Sequence, residues 1–271
     1  MTDDATSALV DRARRAQAGV EGLALDERLA RTRASRACLA AVGDDVVRRS
    51  TIEAGRPVKF ARRELETALQ FIDALPELAD AIRSRRVPAV SGSTTLEFRP
   101  YGVVLGWHAA NAPIWVPALV ALSALVGGNA LLARPSQRTL ATSTETLRAI
   151  AEPWPADAVS VLDLPWNEAE ELIAAPGIDA IVAHSSTETC KRHLGLLGAA
   201  YASGSARLSR CSAICASPRS PRSSGRVSSI SDSGGGAAWP PGGRSSRPWS
   251  RSRRRRSPGG STQIAPGGRK Q

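Results

Sequence analysis

The sequence predicts an α/β protein: a helical N-terminal section, an incomplete Rossmann-like parallel sheet with helices on both faces, and a disordered C-terminal tail. Three observations carry this prediction. Apolar residues recur at helical spacing through residues 1–87, and short apolar runs alternate with helical patterns through residues 88–201. Over residues 202–271 both patterns stop and the composition changes. These three ranges are the expected parts of the chain.

In the first part, apolar residues follow one another at intervals of three or four positions. The clearest stripe consists of Leu65, Leu69, Ile72 and Leu75. Such spacing gives a helix one apolar face that can be buried. Helices are predicted around Leu9, Val10 and Ala13, and then over residues 23–39, 46–54 and 58–82. Pro88 ends the helical pattern, and residues 89–98 predict a short hairpin.

After Pro100 the sequence alternates between short apolar runs and helical segments. Strands are predicted at 103–106, 129–133, 159–162 and 178–183, and helices at 114–125, 140–150, 168–174 and 187–197. Four βα units in succession predict a parallel sheet covered on both faces, with right-handed crossovers. Ligands bind such sheets at the carboxyl ends of the strands, where helix N-termini can meet phosphates. No G-x-G-x-x-G occurs in residues 100–200, so the ordinary dinucleotide fingerprint is missing.

The tail differs from the rest of the chain in net charge as well as in its pattern of residues. Residues 202–271 contain 13 Arg and one Lys against one Asp, a net charge of +13, which leaves −2 for residues 1–201. Ser, Arg, Gly and Pro make up 49 of these 70 residues. Such a segment buries too little apolar surface to offset its ordering entropy, so we expect disorder. Because 33 Arg and three Lys indicate GC-rich coding, the tail can also be a frameshift product, which the downstream DNA would test.

Composition also excludes several classes of protein. No apolar run reaches the roughly 18 residues that a membrane-spanning helix needs. The N-terminus shows no secretory signal, and the four cysteines are not spaced as a dense disulfide framework. A reducing, cytoplasmic setting is therefore expected. Cys211 and Cys215 lie four positions apart without a second pair at zinc-ligand spacing, so no metal site is predicted.

Four stretches, in order, resemble motifs of the aldehyde dehydrogenase superfamily. They are Glu53-Ala54-Gly55-Arg56-Pro57, Tyr101-Gly102-Val103-Val104 with Asn111-Ala112-Pro113, Gly128-Asn129 through Pro135-Ser136-Gln137, and Ala183-His184-Ser185-Ser186-Thr187-Glu188. The superfamily versions are E-x-G-K-P, P-x-G-V-V…P-W-N-F-P, G-N-x-V-V-x-K-P-S-E and F-T-G-S-T-E. The likeness covers about residues 20–200. It implies that residues 88–201 are part of an NAD(P)-binding domain.

The resemblance also implies roles for single residues. Asn111 matches the amide that stabilises the oxyanion, a contribution of about 3 kcal/mol. An Asn before Pro113 can equally cap a helix.

Arg134 matches the lysine that contacts the adenosine ribose. It would also suit a 2′-phosphate, so both NAD and NADP are expected cofactors. The alternative for Arg134 is a solvated charge at a strand end. Ser136 and Gln137 belong to the same motif. Ser186 matches the serine set against the pyrophosphate, but Ser185 and Cys190 replace glycines of the pattern.

The superfamily's catalytic cysteine and glutamate have no counterpart in the sequence. The stretch where L-E-L-G-G-K should follow reads Tyr201-Ala202-Ser203-Gly204 instead. We therefore expect an oxidoreductase-like chain, acting by family on an aldehyde or acyl thioester, that is truncated and inactive alone. By family it would be an oligomer, which the missing part puts in doubt. The alternative is a binding module whose basic tail contacts nucleic acid; non-specific attraction of a +13 segment to polyanions is the simpler interpretation.

Overall fold

The computed structural model describes residues 3–88 and 92–202, with side chains for 4–88 and 92–199. Residues 89–91 and residues 203–271, which include Cys211, Cys215 and all but the first residue of the predicted tail, lie outside these ranges. All described residues belong to one unit, which spans residues 1–232. In this part of the chain, no helix is both long and apolar enough to cross a membrane.

Four helices form the front section: α1 (Asp3–Glu21), α2 (Leu25–Ala41), α3 (Gly43–Ala54) and α4 (Val58–Ala79). Each buries one face at helical spacing, and in α2 that face includes Thr32 and Ser35 beside Leu29 and Leu39. The predicted stripe of α4 is confirmed, since Leu65, Ile72 and Leu75 are buried. The carboxylate of Glu64 lies on the same buried face.

A two-stranded antiparallel hairpin joins the front section to the sheet. It pairs β1 (Arg85–Pro88) with β2 (Ser93–Leu96). The first strand begins earlier than the sequence predicts, because the chain is already extended at Arg83, where ψ is 135°. Both strands are largely exposed.

The predicted sheet is confirmed as four parallel strands. In chain order they are β3 (Val103–Trp107), β4 (Ala130–Arg134), β5 (Val159–Val161) and β6 (Ala180–Ala183), and the spatial order is β5-β4-β3-β6. The helices that follow these strands are α5 (Trp115–Val126), α6 (Leu140–Ala151), α7 (Trp166–Glu171) and α8 (Thr187–Ala202). Strands β4 and β5 are added on one side of β3, and β6 is added on the other side. The carboxyl ends of β3 and β6 therefore flank a topological switch point, which is where doubly wound sheets bind ligands.

Helices cover both faces of the sheet, as predicted. Alternate residues of β3 point to opposite faces and enter two separate apolar cores. Val104 belongs to the core that the sheet forms with α5, α6 and the front helices. The core on the other face, formed with α1, α7 and α8, contains Val103, Leu105 and Trp107. This alternation follows from the two-residue repeat of a strand. The front helices are therefore packed against the sheet.

Candidate functional site

A cleft of about 590 Å³ opens at the carboxyl ends of β3 and β6. Its walls come from the end of α3, the loop after β3, the start of α6 and the turn into α8. The lining residues are Glu53, Ala54, Arg56, Ala109, Ala110, Asn111, Val116, Arg138, Thr139, His184, Ser185 and Ser186. Tertiary folding thus brings Asn111 and Ser186, from two distant motifs, to one cavity.

Two carboxylates of the front helices cap the helices beside the cleft. Glu53 accepts hydrogen bonds from the backbone N–H groups of Ala141 (3.1 Å) and Thr142 (2.8 Å) at the start of α6. Glu64 accepts from the backbone N–H groups of Ile114 and Trp115 at the start of α5, each at 2.8 Å. Carboxylates satisfy the unpaired donors and the positive end of the helix dipole. These donors are therefore not free to bind a phosphate. This differs from the expectation, based on the sequence, that the helix N-termini beside the strand ends can meet phosphates.

The Glu-Ala-Gly-Arg-Pro motif makes this capping possible. Gly55 ends α3 in the left-handed region, with a φ of 62°, where glycine carries no steric penalty. The chain then turns so that Arg56 pairs with Glu64 and donates from Nη1 to the backbone carbonyl of Asn111 (2.9 Å). Arg56 thereby holds the loop that carries Asn111.

Asn111 is exposed at the mouth of the cleft, and its side chain does not cap α5. The helix begins at Trp115 without a side-chain cap on its N-cap residue, Ile114, and Glu64 takes its first donors. The capping interpretation of Asn111 is therefore wrong. Its expected role toward an oxyanion stays a prediction.

Ser186 lies where the chain turns from β6 into α8. Its hydroxyl accepts from the backbone N–H of Thr189 (3.2 Å) and lies 3.1 Å from the Thr189 hydroxyl. This contact is the ordinary N-cap bond, which orders the first turn of the helix. Ser185 and Ser186 both face the cleft.

Two buried histidines follow the aligned ends of β3 and β6. Trp107 pairs in register with Ala183, so His108 and His184 are the next residues on neighbouring strands. Neither ring nitrogen of His108, nor Nδ1 of His184, has a hydrogen-bond partner in the described structure. Burial, and secondarily the neighbouring His184, lowers the pKa of His108 to about 3, and burial lowers the pKa of His184. Both imidazoles are therefore neutral at pH 7.

Arg134 ends β4, but it does not line the cleft and is not a solvated charge. Only 4% of the residue is exposed. Its guanidinium carbon lies 4.7 Å from the ring centre of Trp107 and 5.4 Å from that of Trp166, a cation–π arrangement. Burial lowers the pKa of Arg134, although a guanidinium remains charged at neutral pH.

Ser136 and Gln137 lie in the turn between β4 and α6. The hydroxyl of Ser136 accepts from the backbone N–H of Arg138 (3.4 Å) at the start of a 3-10 turn over Gln137–Thr139. Gln137 is exposed and donates from Nε2 to Asp163 Oδ1 (3.0 Å) and to the carbonyl of Leu164 (3.1 Å). Both side chains thus take part in local contacts at the outer end of β4.

Sequence patterns did not single out three polar residues of the cleft, Arg138, Thr139 and His184, as site residues. Thr139 is buried and its hydroxyl has no partner among the described residues. The signal that could have found them is position, since each follows closely the end of a strand that the sequence did predict. Their own residue types are too common in turns to indicate a site.

The described cysteines lie away from the cleft. Cys38 is in α2 and Cys190 is buried in α8. Burial raises the pKa of the Cys38 thiol, which makes it a poor nucleophile. No group of three or more metal-ligating side chains occurs in the part of the chain that the structure describes.

A family model described as the aldehyde dehydrogenase family matches residues 1–203. Among curated proteins, the N-succinylglutamate 5-semialdehyde dehydrogenase of Novosphingobium aromaticivorans is 29% identical over 133 residues, which cover 48% of this chain and 28% of that protein. The enzyme of the same name from Chromobacterium violaceum is 28% identical over 139 residues, or 51% of this chain and 29% of the relative. The chain therefore spans less than a third of the curated relatives it matches.

Solved structures share the fold. An aldehyde dehydrogenase from Brucella melitensis biovar abortus superposes with a TM-score of 0.71 at 20% identity, over 79% of this chain and 44% of that one. An NADP-dependent enzyme of E. coli gives 0.71 at 21% identity, with 80% and 44% coverage. The NADP-dependent glyceraldehyde-3-phosphate dehydrogenase of Bacillus halodurans, solved in complex with NADP, gives 0.69 at 20% identity, with 79% and 45% coverage.

Proposed function

Because the chain belongs to the aldehyde dehydrogenase family, we propose that it is the cofactor-holding part of an NAD(P)-dependent oxidoreductase acting on an aldehyde or an acyl thioester. Residues 88–201 form the partial nucleotide-binding domain, and residues 1–87 support it. The observation that carries the proposal is that Asn111 and Ser186, from separate family motifs, line the same cleft at the switch point of the sheet.

The cleft has polar groups that suit a dinucleotide. The hydroxyl of Thr139 and Nδ1 of His184 are buried at its wall without a partner in the described structure. Since an unpaired buried polar atom costs about 1–3 kcal/mol, a polar ligand that reaches these groups recovers that free energy. Arg138 adds a positive charge on the same wall. NAD(P) therefore fits the residues present, and when bound it supplies a nicotinamide that accepts or gives a hydride.

Polar residues of the cleft then have a part in holding the ligands. Ser186, Ser185 and Arg138 would face the diphosphate. Gln137 and Ser136, which lie outside the cleft at the end of β4, would lie toward the ribose. Asn111 would direct its side-chain N–H at the oxyanion that forms when a thiol adds to a carbonyl. Arg56 positions Asn111 through its backbone carbonyl.

The chain by itself is expected to be catalytically incomplete. Cys38 and Cys190, the cysteines of the described residues, lie outside the cleft. Family chemistry needs a thiolate and a carboxylate base beside the substrate. We therefore expect nucleotide binding by this chain without formation of NADH or NADPH from added aldehydes.

Calorimetric titration of the full chain with NAD+ and NADP+ tests the proposal by measuring the Kd of each nucleotide. In chemical unfolding, a nucleotide present at about 100 times its Kd should raise the free energy of unfolding by about 2.7 kcal/mol. The variant Ser186→Asp keeps an N-cap acceptor for Thr189 but puts a negative charge where the diphosphate is expected, so binding should weaken about tenfold or more.

The matched control is Ser84→Asp, which places the same charge at an exposed site outside the cleft. It should bind like the wild type. Failure of the wild-type chain to bind either nucleotide would overturn the proposed function. Equal binding by wild type and Ser186→Asp would show that any nucleotide binds elsewhere.

A further inference from the structure

The end of the second strand is where doubly wound sheets distinguish the two dinucleotides. A carboxylate there hydrogen-bonds the ribose hydroxyls of NAD, whereas a nearby arginine accommodates the 2′-phosphate of NADP. In this chain β3 is the first strand of the sheet and β4 the second, and β4 ends on Arg134. The groups around Arg134 therefore bear on cofactor choice.

Arg134 is withdrawn from the surface by aromatic rings. Trp107 and Trp166 meet edge to face with ring centres 4.8 Å apart, and the guanidinium lies against both. Trp166 is 40% exposed, so it forms the outer cover of this stack. Among the described residues, the guanidinium has one hydrogen-bond acceptor, the carbonyl of Leu164, which lies a long 3.4 Å from Nη2. A 2′-phosphate outside Trp166 would not reach the arginine without moving the indole.

The charge that does face outward at this place is negative. Asp163 is exposed just after β5, the neighbour of β4, and accepts a hydrogen bond from Gln137. Gln137 donates its amide protons to Asp163 and to the Leu164 carbonyl, so it offers little to a phosphate. The carboxylate keeps further lone pairs free for ribose hydroxyls.

Other cations near the sheet do not reverse this balance. Arg138 lines the cleft with Ser185 and Ser186, on the side expected for the diphosphate. Arg12 and Arg148 line a separate groove along β5, but Asp157 and Asp163 line it as well. That groove therefore carries no excess of positive charge.

We propose that Asp163 and the stack of Trp107, Arg134 and Trp166 make the nucleotide site selective for NAD over NADP. The stack removes the cation that a 2′-phosphate needs, and Asp163 supplies a carboxylate that accepts from the ribose hydroxyls and repels the phosphate. This inference rests on the proposed function, because it assigns the specificity of the same nucleotide site.

Competitive calorimetry with NAD+ and NADP+ on the full chain gives the affinity ratio directly. The wild type should bind NAD+ about tenfold or more tightly than NADP+, because the 2′-phosphate would lie near the Asp163 carboxylate without an accessible cation to pair with it. Asp163→Asn keeps the shape and removes the charge. It should tighten NADP+ binding about fivefold with NAD+ binding changed much less, since a 2′-phosphate carries nearly two negative charges.

Glu77→Gln is the matched control, because it removes one negative charge from an exposed site at the far end of α4. It should leave both affinities unchanged. A ratio that shifts equally in Asp163→Asn and Glu77→Gln would mean a general charge effect and would overturn the assignment of Asp163.

Two further variants test the aromatic cover. Trp166→Ala uncovers Arg134 and should tighten NADP+ binding severalfold. Arg134→Met removes the covered charge but keeps a long side chain between the rings, so it should leave the affinity ratio unchanged. Circular dichroism checks that each variant is folded. If Arg134→Met weakens NADP+ binding selectively, the arginine contacts the phosphate and the inference is wrong.

The possible failures are distinguishable. Binding of NADP+ as tight as or tighter than that of NAD+ overturns this inference and leaves the proposed function standing. Binding of neither nucleotide overturns the proposed function, and the inference with it.

Discussion

At the scale of single residues, neutral histidines are the most unusual feature of the molecule. His108 is fully buried and neither of its ring nitrogens has a partner in the described structure. A side chain at Gly106, two positions earlier on the same face of β3, would place its Cβ 2.8 Å from the Nε2 of His108. Glycine at that position therefore gives the imidazole its room.

The fold should lose stability in mild acid because of these histidines. The folded-state pKa of His108 is about 3, below the 6.5 of an exposed histidine, so as the pH falls through 6.5 the unfolded chain binds a proton that the folded chain does not. Stability is therefore fully present above pH 6.5 and declines below it, by up to about 1.4 kcal/mol per pH unit for each such histidine. Urea unfolding at pH 7.5 and pH 5.0 measures the loss.

His108→Gln removes one of the titrating groups and should reduce the loss between these two pH values by about 1–2 kcal/mol. The comparison uses differences between pH values, so it does not depend on how much the substitution itself destabilises the fold. A variant with the same pH dependence as the wild type would contradict the assignment.

At the scale of elements, the front helices complete the helices that follow β3 and β4. Glu53 of α3 satisfies the start of α6, and Glu64 of α4 satisfies the start of α5. Each capping residue is far in sequence from the helix it caps. Two elements of the sheet domain therefore depend on the front section for their termini.

Glu64→Gln should destabilise the protein by about 2–3 kcal/mol. The amide retains one acceptor for the N–H groups of Ile114 and Trp115 but loses the charge, so Arg56 loses its ion-pair partner. Chemical unfolding gives the value. Glu66→Gln, an exposed neighbour on the same helix, should stay within about 0.5 kcal/mol of the wild type.

At the scale of the whole molecule, the front section and the sheet share one apolar core. A buried polar chain also joins them: the hydroxyl of Ser35 in α2 donates to the carbonyl of Ile150 in α6 (2.7 Å) and accepts from Nε1 of Trp154 (3.0 Å). Paired polar groups in a core fix the alignment of the elements that carry them. We expect the two parts to unfold together.

Ser35→Ala should lower the free energy of unfolding by about 2 kcal/mol, because it leaves the buried Nε1 of Trp154 and the Ile150 carbonyl without this partner. Denaturation followed by both tryptophan fluorescence and far-ultraviolet circular dichroism measures the change. The exposed Ser84→Ala serves as the control. Two separate transitions in the wild type would contradict the shared core.

The sequence by itself determined the class of fold, the order of its elements and the family. Helical stripes such as that of α4, the buried run Val103–Trp107 and the four motifs are local patterns, and local patterns are written in consecutive residues. It also placed Asn111 and Ser186 at strand ends, where the cleft lies.

Only the tertiary structure decided what surrounds each of these residues. The spacing of Arg134 in its motif could not reveal that Trp166, from a later helix, covers it, nor that Glu64 replaces Asn111 as the cap of α5. The physical reason is that burial and pairing depend on side chains brought together from distant parts of the chain, whereas propensity and periodicity report only on neighbours in sequence.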